Sequence, residues 1–273
     1  PAIKLPFNTS DNPEVGKKVK QRVSDTHTEE IIIGLCAPIG TDVHYVAEEI
    51  GRIMEEKYGY EYQVIRLSDF IRKYSKGPVD ITAEGYKKFS QLIELGNNLR
   101  SSKGESILAE LAISEIALKR EIKHKPESTD YTSTRICYII DSIKHQEELE
   151  LFRLIYHDLF YFFGVFSIPE VREKNLERLN LKKDEIYQLM NRDSGEEIQF
   201  GQKVSDTFIQ ADFFLRIDQT TATIPVRISR FLSLIFSSEV TTPTIHETAM
   251  YLASAASGNS ACLSRQVGAS ITD

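Results

Sequence analysis

Three short runs of nearly unbroken apolar residues, Glu30-Ile-Ile-Ile-Gly-Leu-Cys36, Arg135-Ile-Cys-Tyr-Ile-Ile140 and Tyr161-Phe-Phe-Gly-Val-Phe166, constrain this chain more than anything else in it. A strand that is apolar on both faces belongs inside a parallel sheet, because helical crossovers then cover both sides. The segments between the runs have the matching periodicity. From Asp42 the apolar residues Val43, Val46, Ile50, Ile53 and Met54 recur at helical spacing, with Gly59 just past the end. Residues 62–67 alternate as a further strand, and Ser68 and Asp69 are the cap candidates for the next helix. Residues 82–100, 107–121 and 146–156 read as amphipathic helices, 171–181 as a basic segment, 189–202 as a polar one, and 207–217 as the closing strand. The expected fold class is α/β, a parallel sheet flanked by helices.

With 273 residues and 41% of them hydrophobic, the chain can bury a full core. The net charge of −7 argues against a dedicated duplex-binding module, which needs a basic face. The three cysteines, Cys36, Cys137 and Cys262, are odd in number and far apart, so neither a disulfide framework nor a cysteine zinc cage is encoded. The most apolar stretch, 151–168, is broken by Arg153, His157 and Asp158, so no membrane span is expected. The first residues carry no signal-peptide pattern, which makes the cytoplasm the expected compartment.

The strongest chemical signal is Gly34-Leu-Cys-Ala-Pro-Ile-Gly-Thr-Asp42, between a buried strand and a helix start. Backbone amides there, at the positive end of the helix dipole, form an anion seat. Gly34, Ala37, Pro38, Ile39, Gly40, Thr41 and Asp42 are therefore the candidate phosphate-binding residues, with a plain βα turn as the alternative. A Walker A sequence needs Lys and Ser/Thr after its second glycine, whereas Thr41 and Asp42 follow Gly40, so the phosphate-clamping lysine is missing. Asp141, at the carboxyl end of an apolar strand, would face the same crevice, with an N-cap role for it or Ser142 as the alternative. Lys144 and Arg192 are further phosphate candidates. His145, Arg172, Lys174 and Arg178 read as solvated positions, and the scattered histidines show no metal-ligand spacing. His27-Thr-Glu29 matches the His-x-Glu of zinc deaminases but lacks the downstream Pro-Cys-x-x-Cys. The aromatic cluster 160–166 reads as core.

Four segments, Ile33-Gly-Leu-Cys-Ala-Pro-Ile-Gly-Thr-Asp42, Tyr138-Ile-Ile-Asp-Ser-Ile-Lys-His145, Asn191-Arg-Asp193 with Gly201-Gln202 and Asp206-Thr-Phe208, and Leu263-Ser-Arg-Gln-Val-Gly-Ala269, taken together resemble the bacterial anti-phage deoxycytidylate deaminases. That resemblance implies an amino-terminal P-loop, nucleotide-kinase-like domain that senses or gates. It also implies a carboxyl-terminal zinc cytidine-deaminase domain that converts dCTP or dCMP to the deoxyuridine nucleotide and depletes the phage's nucleotide pool. The deaminase motifs His-Ala-Glu and Pro-Cys-x-x-Cys are not in these 273 residues, so zinc and the catalytic groups are expected in a further part of that domain. No catalytic or metal residue is assigned within the chain.

The expected organisation is an arm at 1–28, a P-loop kinase-like regulatory domain at 29–218, a connecting helix and linker at 219–243, and at 244–273 the opening helix and strand (266–273) of a cytidine-deaminase-like α/β domain. Arg265 is the suspected phosphate contact in that piece, with a structural ion pair as the alternative. The expected ligands are a deoxycytidine nucleotide and a regulatory nucleotide with or without Mg. A regulatory RNA is a further partner considered, and the protein is expected to be a homo-oligomer. The alternatives are an active nucleoside or nucleotide kinase, disfavoured by the missing lysine, and a non-catalytic protein- or RNA-interaction module.

Overall fold

The computed structural model describes residues 28–75, 83–123, 135–195, 203–217, 221–262 and 264–272. The expected arm, His27, His124 and Gly201-Gln202 lie outside them. Five strands, β1 (Glu30–Cys36), β2 (Glu61–Arg66), β3 (Ile136–Asp141), β4 (Phe160–Phe166) and β5 (Phe213–Arg216), form one sheet in the order β2-β3-β1-β4-β5, with every pairing parallel. The fold class is thus α/β. β1, the most apolar run, lies at the centre, as burial on both faces demands.

Connections alternate with helices α1 (Val43–Tyr58), α2 (Leu67–Tyr74), α3 (Gly85–Lys103), α4 (Ile107–Lys123), α5 (Gln146–Tyr156), α6 (Pro169–Glu177), α7 (Lys183–Gly195) and α8 (Val204–Phe208). The chain leaves β1, passes over β3 to edge strand β2, and then returns. Right-handed crossovers therefore put α1 on one face and the helices after β2 on the other. The main apolar core agrees: Ile32, Cys36, Tyr138 and Ile140 on one strand face meet Phe70, Ile71, Leu108, Ala112, Ile116, Leu149 and Phe152. Phe152, Phe160 and Phe162 stack through this core, so the aromatic run is core as expected.

A smaller apolar cluster of Ile39, Ile93, Leu176, Leu181, Ile186 and Leu189 joins α3, α6 and α7 to the loop after β1. Gly59 ends α1 in the left-handed conformation at φ 70°, as its position implied.

Several elements differ from expectation. α2 begins at Leu67, directly after β2, with Arg66 at its N-cap and no side-chain cap bond, so Ser68 and Asp69 are helical residues and not caps. α3 runs on to Lys103 through the polar 101–103 and stops at Gly104. The expected strand 207–217 is a short helix and a turn followed by the four-residue β5. The Asp212 carboxylate accepts the Phe162 amide at 2.8 Å at the strand's entry. Of the polar segment 189–202, residues 189–195 are the end of α7, a helix not expected from the sequence, and 196–202 lie outside the described residues.

The chain divides into two compact units, 1–229 and 230–273. The division falls inside α9 (Ile224–Ile235), so the expected connector 219–243 is shared between them. The second unit holds α10 (Ile245–Ser257), opened by a capping box in which Thr244 and Glu247 satisfy each other's backbone amides. Of the expected strand 266–273, the described residues 266–272 run beside α10 without strand pairing. Gly268 sits where a Cβ would come within 1.9 Å of the Ala253 carbonyl oxygen. A strand needs a partner edge, and the described residues of this unit offer none.

Beneath the sheet's carboxyl edge, Arg100 of α3 donates from Nε and Nη2 to Glu148 Oε1 of α5, at 2.9 and 2.7 Å. The two side chains are 2% and 0% exposed, and Arg100 Nη1 has no hydrogen-bond partner among the described residues. Removing one member of such a pair leaves an uncompensated buried charge, at about 3–5 kcal/mol. Glu148→Leu should cost that much in urea unfolding, whereas the double substitution Arg100→Met with Glu148→Leu should return stability to within about 1 kcal/mol of the original. A silent single substitution would show that the pair is not sealed from water.

Candidate functional site

The loop from Ala37 to Asp42 leaves the carboxyl end of the central strand and enters α1. In a doubly wound sheet this is the crevice where ligands sit. Pro38 O accepts the Thr41 amide at 3.1 Å, and Thr41 O accepts the Val43 amide at 2.9 Å, which makes a tight double turn. Gly40 has φ +85°, and a Cβ there would meet Arg172 O at 2.8 Å, so only glycine fits. Asp42 is the N-cap of α1, its carboxylate accepting the Tyr45 amide at 3.3 Å. Gly34 is not part of this loop. It lies within β1, where a Cβ would strike Phe160 and Ile143 at 2.7 and 2.8 Å, so packing accounts for it.

Three side chains close on the loop. Asp193, in the last turn of α7 and 0% exposed, accepts the Ile39 amide on Oδ2 at 2.6 Å and the Lys144 ammonium on Oδ1. Arg172 of α6 donates from Nε to Ile39 O at 2.7 Å, and Asn175 donates from Nδ2 to Gly40 O at 2.9 Å. Burial lowers the proton affinity of the Arg172 guanidinium below its ordinary value, and the field of Asp193 opposes that. Arg172 Nη2 and Thr41 Oγ1 are buried and have no hydrogen-bond partner among the described residues.

Asp141 sits beside the crevice on the opposite strand face from the main core. In the register it lies between Leu35 of β1 and Arg66 of β2. His44 Nδ1, in the first turn of α1, bonds its Oδ2, and Arg66 Nε lies 3.9 Å from the same oxygen. That bond raises His44 above its usual proton affinity, with burial opposing. Asp141 is thus a partner of His44 and Arg66, not an N-cap.

The candidate residues therefore separate. Ala37, Pro38, Ile39, Gly40, Thr41 and Asp42 form the loop; Lys144 reaches it through Asp193; Asp141 lies beside it against α1. Arg192 points elsewhere, donating to Ser90 Oγ at 3.0 Å and lying 3.6 Å from Glu94. Arg265 is exposed in the second unit.

Two positions read as solvated are not. Arg172 is 9% exposed against the loop, and His145 is 1% exposed. His44 is exposed as expected, and its ring nonetheless bonds Asp141. His145 caps α5 by accepting the Glu147 amide at 3.3 Å, and burial lowers its proton affinity. Lys174 and Arg178 are exposed as expected. A signal for the missed pair exists: Asp193 falls in the 3-4 spacing of Ile186, Leu189 and Met190, and Arg172 lies four residues before buried Leu176.

Among the described residues no group of three or more His, Cys, Asp or Glu side chains could hold a metal ion. Burial pushes the Cys36 and Cys137 thiols well above the usual range, so neither supplies a thiolate. Among the described residues no helix is long and apolar enough to cross a membrane.

Comparison with protein-family models and with curated protein sequences finds no match. Among solved structures, the dephospho-CoA kinase from Campylobacter jejuni is similar at a TM-score of 0.35 and 10% identity, over 76% of this chain and 98% of that one. The α/β assignment of this chain stands on its own strand order.

The His44–Asp141 bond has a pH signature. His44 is raised in the folded state, so its contribution to stability is fully present below the unfolded value of 6.5 and is lost as pH rises through the raised folded one. An NMR titration should find His44 above 6.5, and lower in Asp141→Asn, where burial and the Arg66 field no longer meet the opposing Asp141 carboxylate. The stability loss in His44→Gln should be larger at acid than at alkaline pH. An unshifted His44 would mean that the bond does not form.

Proposed function

We propose that this chain is the regulatory, nucleotide-sensing portion of an anti-phage deoxycytidine nucleotide deaminase, holding a nucleotide's phosphate without transferring it. The observation that carries the reading is the loop 37–42. It is an anion seat at the mouth of the central strand, with two basic side chains brought to it and no lysine after Gly40. Phosphoryl transfer leans on that lysine and on a metal clamp. Here Thr41 and Asp42 occupy the positions, and Asp42 is used to cap α1. Such a site suits binding that reports a nucleotide level better than chemistry.

The deaminase half of the reading rests on the resemblance of residues 263–269 and of the three earlier segments to that family. Under it, dCTP or dCMP is the substrate of a zinc domain whose ligands lie outside these 273 residues. The regulatory nucleotide, with or without Mg, belongs to the loop described above. A cytoplasmic, homo-oligomeric protein belongs to the same reading, and regulatory RNA is a partner it admits.

Isothermal titration of the purified chain with dCTP, dCMP, dTTP and ATP, with and without Mg, tests it. At least one nucleotide should bind with a Kd on the order of micromolar, and labelled ATP should pass no phosphate to dCMP or dTMP. Transfer would establish a kinase instead. No binding at millimolar nucleotide would leave an interaction module.

A further inference from the structure

We propose that the Asp193 carboxylate is a built-in stand-in for the nucleotide's phosphate, seated on the anion loop until a nucleotide displaces it. The inference rests on the reading of loop 37–42 as a nucleotide site and adds how that site is regulated. A loop at a helix start offers its amides to any anion, and here the chain supplies one itself. Asp193 takes the Ile39 amide at 2.6 Å and the Lys144 ammonium, and it is wholly buried while doing so.

The fit is incomplete in a way that points to a larger anion. A carboxylate has two oxygens, and both are engaged, Oδ2 by Ile39 and Oδ1 by Lys144. Two further donors at the loop, Arg172 Nη2 and Thr41 Oγ1, are buried and have no hydrogen-bond partner among the described residues. Arg172 is 9% exposed, is fixed to the loop through Nε, and has no carboxylate within ion-pair distance among the described residues. Lys144 and Arg172 bring two positive charges, and Asp193 neutralises one. A terminal phosphate brings three oxygens and up to two negative charges, which matches four donors and two cations where the carboxylate does not.

Exchange of one anion for the other has a mechanical result. The same carboxylate that fills the seat also fastens the last turn of α7 to the loop. A phosphate that takes over Ile39 and Lys144 releases that turn, while Arg172 and Asn175 keep α6 on the loop through the carbonyls of Ile39 and Gly40. α7 is therefore the element that reports occupancy.

The test compares the protein with its Asp193→Asn variant, titrated calorimetrically with dCTP and with inorganic tripolyphosphate. Asparagine keeps an acceptor for the Ile39 amide but removes the competing charge, so the variant should bind both ligands about tenfold tighter or more. Circular dichroism checks that it is folded. A folded variant with equal or weaker affinity overturns the stand-in and leaves nucleotide sensing untouched. If neither protein binds either ligand, the stand-in and the sensing reading both fall.

Hydrogen exchange on the unaltered protein needs no variant. Saturating dCTP should slow exchange in loop 37–42 and speed it in residues 190–193. Slower or unchanged exchange in both segments would mean that the ligand adds to the Asp193 contact and does not replace it.

Discussion

One buried carboxylate, that of Asp193, joins parts of the chain that are far apart in sequence, and the geometry of the crevice depends on it. Its two bonds span 154 residues to Ile39 and 49 residues to Lys144. Taking an ion out of water costs several kcal/mol, so a fully buried carboxylate persists only where charge-assisted donors meet it. Here one donor is the ammonium of Lys144 and the other is a backbone amide at the foot of α1. The side chain of that same residue, Ile39, is seated in the apolar cluster between α3, α6 and α7. Apolar packing and the ionic contact thus act on one residue from two directions. The loop takes a conformation in which a side chain at position 40 would strike the Arg172 carbonyl oxygen, so glycine alone fits there.

The two carboxylates near the central strand have separate duties. Asp141 points to the α1 side and is served by His44 and Arg66, both partly exposed, so its field is shared with solvent and changes with pH. Asp193 lies inside, is served by Lys144, and its setting is dry. A phosphate that came to the loop would meet Arg172 and Lys144 as attractive charges and Asp42 as a repulsive one, already partly neutralised by the α1 amide it accepts. That arrangement favours holding an anion over driving its transfer.

Much of the scaffold was legible because burial on both faces writes itself directly into composition. β1, β3 and β4 are read from their apolar runs, and α1 from its spacing and from Gly59. The shorter edge elements were less legible. β5 has one buried residue in four, and the turn before it is set by the tertiary bond between Asp212 and the Phe162 amide, which no local pattern announces. The segment 266–273 reads as a strand, yet a strand is defined by its neighbour, and the described part of the second unit has none to offer.

The site itself divides along the same line. The loop was legible, since glycine and proline between a strand and a helix mark a βα turn whatever surrounds it. What closes on the loop was not, because a polar residue on a helix reads as solvated until the helix is phased. In α7, Arg192 and Asp193 are adjacent and therefore point about 100° apart, so at most one of them can face the loop. Phase is set by Ile186, Leu189 and Met190, and position 193 continues their spacing while 192 does not. The basic residue, attractive as a phosphate ligand on charge alone, is turned toward Ser90 and Glu94, and the acidic one is carried onto the Ile39 amide of the loop. Charge suggested one neighbour, and helical geometry selected the other.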